Sequence, residues 1–179
     1  MKHIVMFSGG IGSWATAKIV ADRHGTDDLY LLFADVKGGA QSPHIGEDED
    51  TYRFIDDALK NIGGGTYVYL NEGRDIWTLF SEQNFLGNSR VANCSKILKQ
   101  RPARKWLKEN ADPADSIIYV GIDWSEIHRM GAIVKNYLPY KAEAPLTEPP
   151  YYDKEQLIEW ANREGLKTPR LYDLGFAHN

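Results

Sequence analysis

The stretch Ile4-Val5-Met6-Phe7-Ser8-Gly9-Gly10-Ile11-Gly12-Ser13-Trp14 constrains the fold more than any other part of the chain. An apolar run that reads as a strand passes straight into three glycines and two serines, and the helix-like sequence WATAKIV follows. Glycine and serine disfavour regular structure, so five of them between a strand and a helix cost stability unless the turn binds something. Glycines at 9, 10 and 12 allow positive φ and let backbone N–H groups approach an anion closely. Ser8 and Ser13 add hydroxyl donors. The positive end of the following helix favours phosphate by roughly 0.3–1 kcal/mol per exposed charge. The spacing is neither a Walker A loop, because no Gly-Lys-Ser/Thr follows, nor the dinucleotide pattern G-x-G-x-x-G. The alternative is an ordinary tight strand–helix turn.

Short apolar runs then alternate with helical patterns. His3–Phe7, Leu29–Ala34, Thr66–Leu70 and Ile117–Val120 read as strands, rich in β-branched or aromatic residues. Tyr52, Ile55, Leu59 and Ile62 recur at helical spacing and Gly63 ends that helix. Asp153 is an N-cap with Gln156 closing a capping box, and Gly165 and Pro169 mark the exit. Strands separated by helices imply right-handed crossovers, hence an α/β fold with a parallel sheet and helices on both faces. The 179 residues are expected to form a single domain, 1–179. Two polar, glycine-containing stretches, 37–46 and 85–93, resist the pattern, as functional loops do.

A net charge of −4 argues against coating DNA or an anionic membrane, although a local basic patch is compatible with it. The single cysteine, Cys94, rules out an internal disulfide or a multi-cysteine metal site within this chain, so no iron–sulfur cluster is expected from it alone. No apolar stretch is long enough for a bilayer and MKHIVMF is too short for a signal-peptide core. A cytoplasmic location without a membrane partner is the expectation, and a homodimer is compatible with it.

The segment Ser8-Gly9-Gly10-Ile11-Gly12-Ser13 resembles the SGGxxS signature of the PP-loop, or adenine-nucleotide α-hydrolase-like, superfamily. Within it the chain looks most like the phosphoadenosine-phosphosulfate reductase family. LLFADV, ending just after Asp35, is similar to the second-strand segment there. CSKILKQRPARKWL resembles its Cys…Leu-Lys-x-x-Pro segment, GIDWSEIHR its Gly-x-x-x-x-Glu-x-x-Arg segment, and APLTE and GLKTPRLYDLGFAHN its C-terminal part. The likeness covers nearly the whole chain and implies a Rossmann-like, HUP-type nucleotide-binding domain. It implies that Ser8, Gly9, Gly10, Gly12 and Ser13 grip the pyrophosphate of ATP or the phosphosulfate end of an activated sulfate nucleotide. Two departures stand out. Many PP-loop ATPases carry Asp at the place of Gly12, and the reductases use a C-terminal cysteine as nucleophile where this sequence reads His178-Asn179.

Further candidates follow from the same segments. Lys99 and Arg101 would neutralise phosphates, Lys99 catalytically and Arg101 as a nucleotide-binding group, while Arg104, Lys105 and Lys108 read as a solvated face. Pro102 divides this stretch into a short helix and a following one. Gly121 lets the chain turn at the sheet edge, and Ser125 is expected to cap the next helix. Asp123 and Glu126 are hard oxygen ligands suited to Mg²⁺, with Arg129 catalytic beside them. The alternative there is a Glu126–Arg129 surface pair worth roughly 0.2–0.5 kcal/mol. Asp35 would touch the ribose or adenine, or simply end its strand. Cys94 reads as structural, residues 47–50 as helix-start charge, and His44 and His128 as lone histidines.

The leading functional expectation is an AMP-forming ATP pyrophosphatase that uses ATP with Mg²⁺ to adenylate a small-molecule acceptor held by the loops at 37–46 and 85–93. The alternatives are a sulfonucleotide reductase acting on adenosine phosphosulfate with a thiol from elsewhere, and a non-catalytic nucleotide-binding module. A nucleic-acid substrate docked on residues 96–108 would reveal itself through steep salt dependence.

Overall fold

The computed structural model describes residues 1–39, 45–84 and 94–176. The loop expected at 85–93 lies outside the described residues, as do residues 40–44 with His44. Five strands form one parallel sheet in the order β3-β2-β1-β4-β5: β1 Lys2–Met6, β2 Leu29–Asp35, β3 Thr66–Asn71, β4 Ser116–Val120 and β5 Lys141–Glu143. The four strands read from the sequence are present, each displaced by no more than one residue at either end. The fifth has three residues, Lys-Ala-Glu, too few and too polar to show a strand pattern; it exists because Ile117–Tyr119 offer it a paired edge.

Alternation along the strands sends apolar side chains to both faces, as a sheet covered on both sides requires. Val5, Phe7, Leu31 and Phe33 pack with helices α1 (Ile11–His24), α2 (Glu49–Ile62) and α6 (Lys154–Arg163). Ile4, Leu32 and Ile118 pack with α4 (Arg101–Asn110), and Val120 and Ile122 with α5 (Met130–Tyr137). Trp14, fully buried at the centre of the first layer, donates its indole N–H to Asn61 at 2.9 Å and leans on Trp160. Each such large apolar side chain contributes about 1.5–3 kcal/mol on burial. No helix among the described residues is long and apolar enough to cross a membrane.

Local signals explain the helix ends. Asp48 caps α2 by accepting from Asp50 N, and Gly63 closes it in the left-handed region at φ 79°. The buried stripe of α2 is Thr51, Phe54, Ile55, Ala58 and Ile62, so the expected Tyr52 and Leu59 flank the contact instead of centring it. The capping box of Asp153 and Gln156 forms at the start of α6. Helix α3 (Ile76–Gln83) begins at the buried Asp75, which accepts from Trp77 N and Thr78 N, both at 2.8 Å. A π-helical turn, Ser95–Gln100, runs into α4, with Pro102 in the first turn where a missing N–H does no harm. A short helix, α7 (Arg170–Asp173), ends the described chain.

At the amino edge of the sheet His3 stacks on His24 with ring centroids 4.0 Å apart, and its Nδ1 lies 2.9 Å from the Tyr119 hydroxyl. Burial, followed by the neighbouring His24, holds the His3 pKa below its usual 6.5. Protons therefore bind the unfolded chain more readily at this position. The stability contributed is complete above pH 6.5 and is lost as pH falls through that value towards the folded pKa. Urea midpoints should drop between about pH 7.5 and about pH 5.5, and the drop should shrink in His3→Gln. A wild-type profile that stays level over this interval would remove His3 as a contributor.

Candidate functional site

The chain leaves β1 for α1 on one face of the sheet and leaves β4 for α5 on the other. Since β1 and β4 are neighbours, their following loops diverge and open a crevice at the carboxyl edge, the place where open α/β sheets bind ligands. A cavity of about 320 Å³ occupies it. Its walls come from the glycine loop (Ser8, Gly10, Ile11, Gly12, Ser13), from the segment after β4 (Gly121, Asp123, Ser125, Glu126), and from Lys154, Leu157 and Tyr172.

The three loop glycines have different reasons. Only Gly9 takes positive φ, at 80°, and a Cβ there would stand 2.9 Å from both Ile55 and Thr51. Gly10 sits at φ −97°, an extended conformation open to any residue, and serves as N-cap of α1. At Gly12 the need is space: a Cβ would come within 2.5 Å of the Gly121 carbonyl oxygen, and a Cβ on Gly121 within 2.6 Å of the Gly12 carbonyl carbon. Of the three, Gly9 alone uses the positive φ that glycine allows.

The donors are arranged as follows. Ser8 lies exposed on the cavity wall, whereas the Ser13 hydroxyl is turned inward and donates to Gly10 O at 2.7 Å. Ile11 N, the first amide of α1, donates to the Tyr172 hydroxyl at 3.1 Å. That leaves the phenol its own O–H to donate, and burial pushes its pKa up so that the proton stays on. Lys154 Nζ stands 4.4 Å from the Tyr172 ring centroid. Burial lowers the Lys154 pKa, while Asp123 and Glu126 pull it back up.

Sequence reasoning had not singled out Lys154 or Tyr172. Lys154 carries one usable signal: it is the first residue of α6, where a positive charge opposes the helix dipole and calls for another purpose. Tyr172 lies in the four-residue helix α7, too short to show a periodicity, and nothing local marks it.

Of the expected groups, Ser8, Gly10, Gly12, Ser13, Gly121, Asp123 and Glu126 meet around the one cavity, with Gly9 behind it against α2. Lys99 lines an adjoining slot of about 140 Å³ together with Ser8, Phe7, Leu32, Ala34 and Tyr137, and its ammonium pairs with Glu47 at 2.6 Å. Arg101 is exposed on α4, because Ala103 and Leu107 take the inner side of that helix. Arg129 pairs with Glu126 and lines a separate hollow between α4 and α5. Asp35 is buried at the end of β2, where it accepts from Tyr52 Oη at 2.7 Å, Tyr69 Oη at 2.9 Å and Lys37 N at 3.0 Å. The cap expected at Ser125 is Asp123 instead, whose Oδ1 accepts from Ser125 N at 2.9 Å and Ser125 Oγ at 2.6 Å. Cys94 packs against Leu79, Ile97 and Leu98, away from the cavity wall, and His128 is exposed. The acidic stretch supplies partners as well as helix-start charge: Asp48 holds Arg170, and Arg53 keeps the Asp50 carboxyl down at about 2.

Among the described residues no cluster of three or more His, Cys, Asp or Glu side chains could hold a metal ion by protein ligands alone. Asp123 and Glu126 do place two carboxylates on the cavity wall, the donor set that Mg²⁺ uses when phosphate oxygens complete its shell.

No protein-family model matches the chain, and no curated protein does. Solved structures do. Phosphoadenylyl-sulfate (PAPS) reductase from Candida auris, in a phosphate complex, aligns at TM-score 0.62 over 98% of this chain and 79% of that one, with 15% identity. NH3-dependent NAD synthetase from Campylobacter jejuni subsp. jejuni, in complex with the nitrate ion, aligns at TM-score 0.58 over 99% of this chain and 69% of that one, with 11% identity. This chain has the PP-loop fold. Within this PP-loop fold the departure at Gly12 has a steric cause, because the Gly121 carbonyl occupies the space an aspartate Cβ would need.

Proposed function

We propose that the chain binds an adenine nucleotide with its phosphates in the cavity at Ser8–Ser13 and its base in the apolar slot beside Ser8, and that it transfers AMP from ATP to an acceptor. The observation that carries this reading is the meeting of the glycine loop, Lys154, Tyr172, Asp123 and Glu126 around one cavity at the sheet's topological switch point. In the reaction an acceptor oxygen attacks the α-phosphorus. The bond from that phosphorus to the bridging oxygen breaks, and pyrophosphate leaves with the electron pair. Lys154 and the Tyr172 O–H donate to phosphate oxygens whose charge grows as that bond breaks. The first amides of α1 orient the chain of phosphates. Asp123 and Glu126 would hold Mg²⁺, which when bound neutralises phosphate charge and polarises the phosphoryl oxygens.

The PAPS reductase neighbour supports a second reading, an adenosine phosphosulfate as the nucleotide. Its thiolate would come from a partner or an added thiol, since Cys94, the single cysteine, does not line the cavity. Titration with ATP/Mg²⁺ and with adenosine phosphosulfate, followed by product analysis, separates the readings. AMP with pyrophosphate is the expected pair. ADP with orthophosphate overturns the first reading, thiol-dependent sulfite release establishes the second, and nucleotide binding without turnover leaves a binding module.

A further inference from the structure

One face of α4 takes no part in the nucleotide cavity. Arg101, Arg104, Lys105 and Lys108 recur at helical spacing, so all four project from the same side over about 10 Å. All are exposed, and none enters a salt bridge among the described residues; Arg101 exerts only a longer-range pull on the Glu72 carboxyl. On a chain of net charge −4, four unpaired cations on one helix concentrate positive potential.

The stripe borders a groove. Between α4 and α5 lies a hollow of about 540 Å³, with Arg104 and Lys108 on one wall and Asn136, Tyr137, Leu138 and Pro139 on the other. Arg104, Asn136 and Tyr137 also line a second hollow of about 240 Å³, which shares Gln100, Ala103 and Tyr137 with the slot beside Ser8. The groove therefore runs from the basic face to the carboxyl edge of the sheet. Its far end is unusually apolar for a surface, Leu138 being 67% exposed.

We propose that this groove binds single-stranded nucleic acid, with phosphates along the α4 stripe and an unpaired base against Tyr137, Leu138 and Pro139. Charge complementarity selects a polyanion, and guanidinium groups at 101 and 104 suit phosphate oxygens in pairs. The ring-and-aliphatic wall beside the cations matches the alternation of phosphate and flat base, and the Asn136 amide offers both a donor and an acceptor to a base edge. A base held in a duplex cannot enter a valley between two helices, so the strand is single. The groove meets the slot assigned to the nucleotide's base at Tyr137, while the α4 stripe itself lies outside that slot and the phosphate cavity.

Anisotropy of labelled oligouridine, oligodeoxythymidine and a hairpin duplex tests it. Both single strands should bind and the duplex should bind at least about tenfold more weakly. With four phosphate contacts the slope of log K against log salt should be about −2.8. Arg104→Glu/Lys108→Glu should lower affinity at least about tenfold and flatten the slope, with ATP binding and thermal midpoint at the wild-type level. Lys60→Glu/Arg163→Glu, an equal charge change on α2 and α6, should leave strand binding within about twofold. Absence of strand binding at low salt, equal loss in both double variants, preference for the duplex, or binding to phosphatidylserine vesicles in place of the strands would overturn the proposal.

Discussion

Gly12→Ala is expected to lose about 3 kcal/mol of stability, with its thermal midpoint lowered by about 6–12 °C. The added Cβ would stand 2.5 Å from the Gly121 carbonyl oxygen. Overpacking against a flexible side chain is relieved by a rotamer change, but here the obstacle is backbone held in β4's exit, so relief requires moving β1's loop and β4's loop apart. That movement opens the crevice, and ATP binding should be lost along with stability. Gly131→Ala is the matched control. Its Cβ meets nothing within 4 Å, and it lies inside α5, so it should gain about 0.5 kcal/mol. Urea unfolding of the two variants would show opposite signs. A Gly12→Ala midpoint indistinguishable from wild type would mean that the two loops are not in contact in solution.

Lys154→Met is expected to weaken ATP binding by about tenfold to hundredfold while raising the thermal midpoint. The two effects share one cause. Burial disfavours the ammonium, so Lys154 has a lower pKa in the folded protein than its usual 10.5. The unfolded chain therefore binds that proton more tightly, and at neutral pH the charged group opposes folding. This opposition fades as pH rises through the folded pKa towards 10.5. A triphosphate shifts the balance by adding its negative charge to that of Asp123 and Glu126 around the ammonium. ATP affinity should accordingly fall as pH rises from neutrality towards 10.5 in the wild type and stay level in Lys154→Met, with Lys154→Arg retaining most of the binding. Calorimetric titration over that pH range measures this. A variant that loses stability and keeps its ATP affinity would make Lys154 a packing residue.

The junction at Phe7–Trp14 was legible because its message is local: a strand, a turn rich in glycine and a helix lie within a few residues of one another. The same holds for Gly63 ending α2, for the Asp153–Gln156 box and for four of the five strands, where propensity, capping and alternation act over one or two turns. These local signals were enough to determine an α/β chain with parallel strands and a glycine-rich turn after the first of them.

Tertiary structure decided the rest, because it depends on which distant segments the crossovers bring together. Gly12 reads as one more flexible loop residue until β4 lies beside β1 and Gly121 faces it. Lys154 and Tyr172 reach the cavity only because α6 packs on α1 and the following segment returns over the helix's first amide. Asp35 is a free carboxylate in the sequence and a fully engaged one in the fold, taken up by two tyrosines from α2 and β3. Arg101 and Arg129 are likewise assigned by orientation, one to the outer side of α4 and one to the groove beyond Glu126. Sequence alone therefore determined the glycine-rich turn between β1 and α1. The sheet order determined which side chains surround it, since a side chain's neighbours across a parallel sheet are set by long-range pairing and not by its place in the chain.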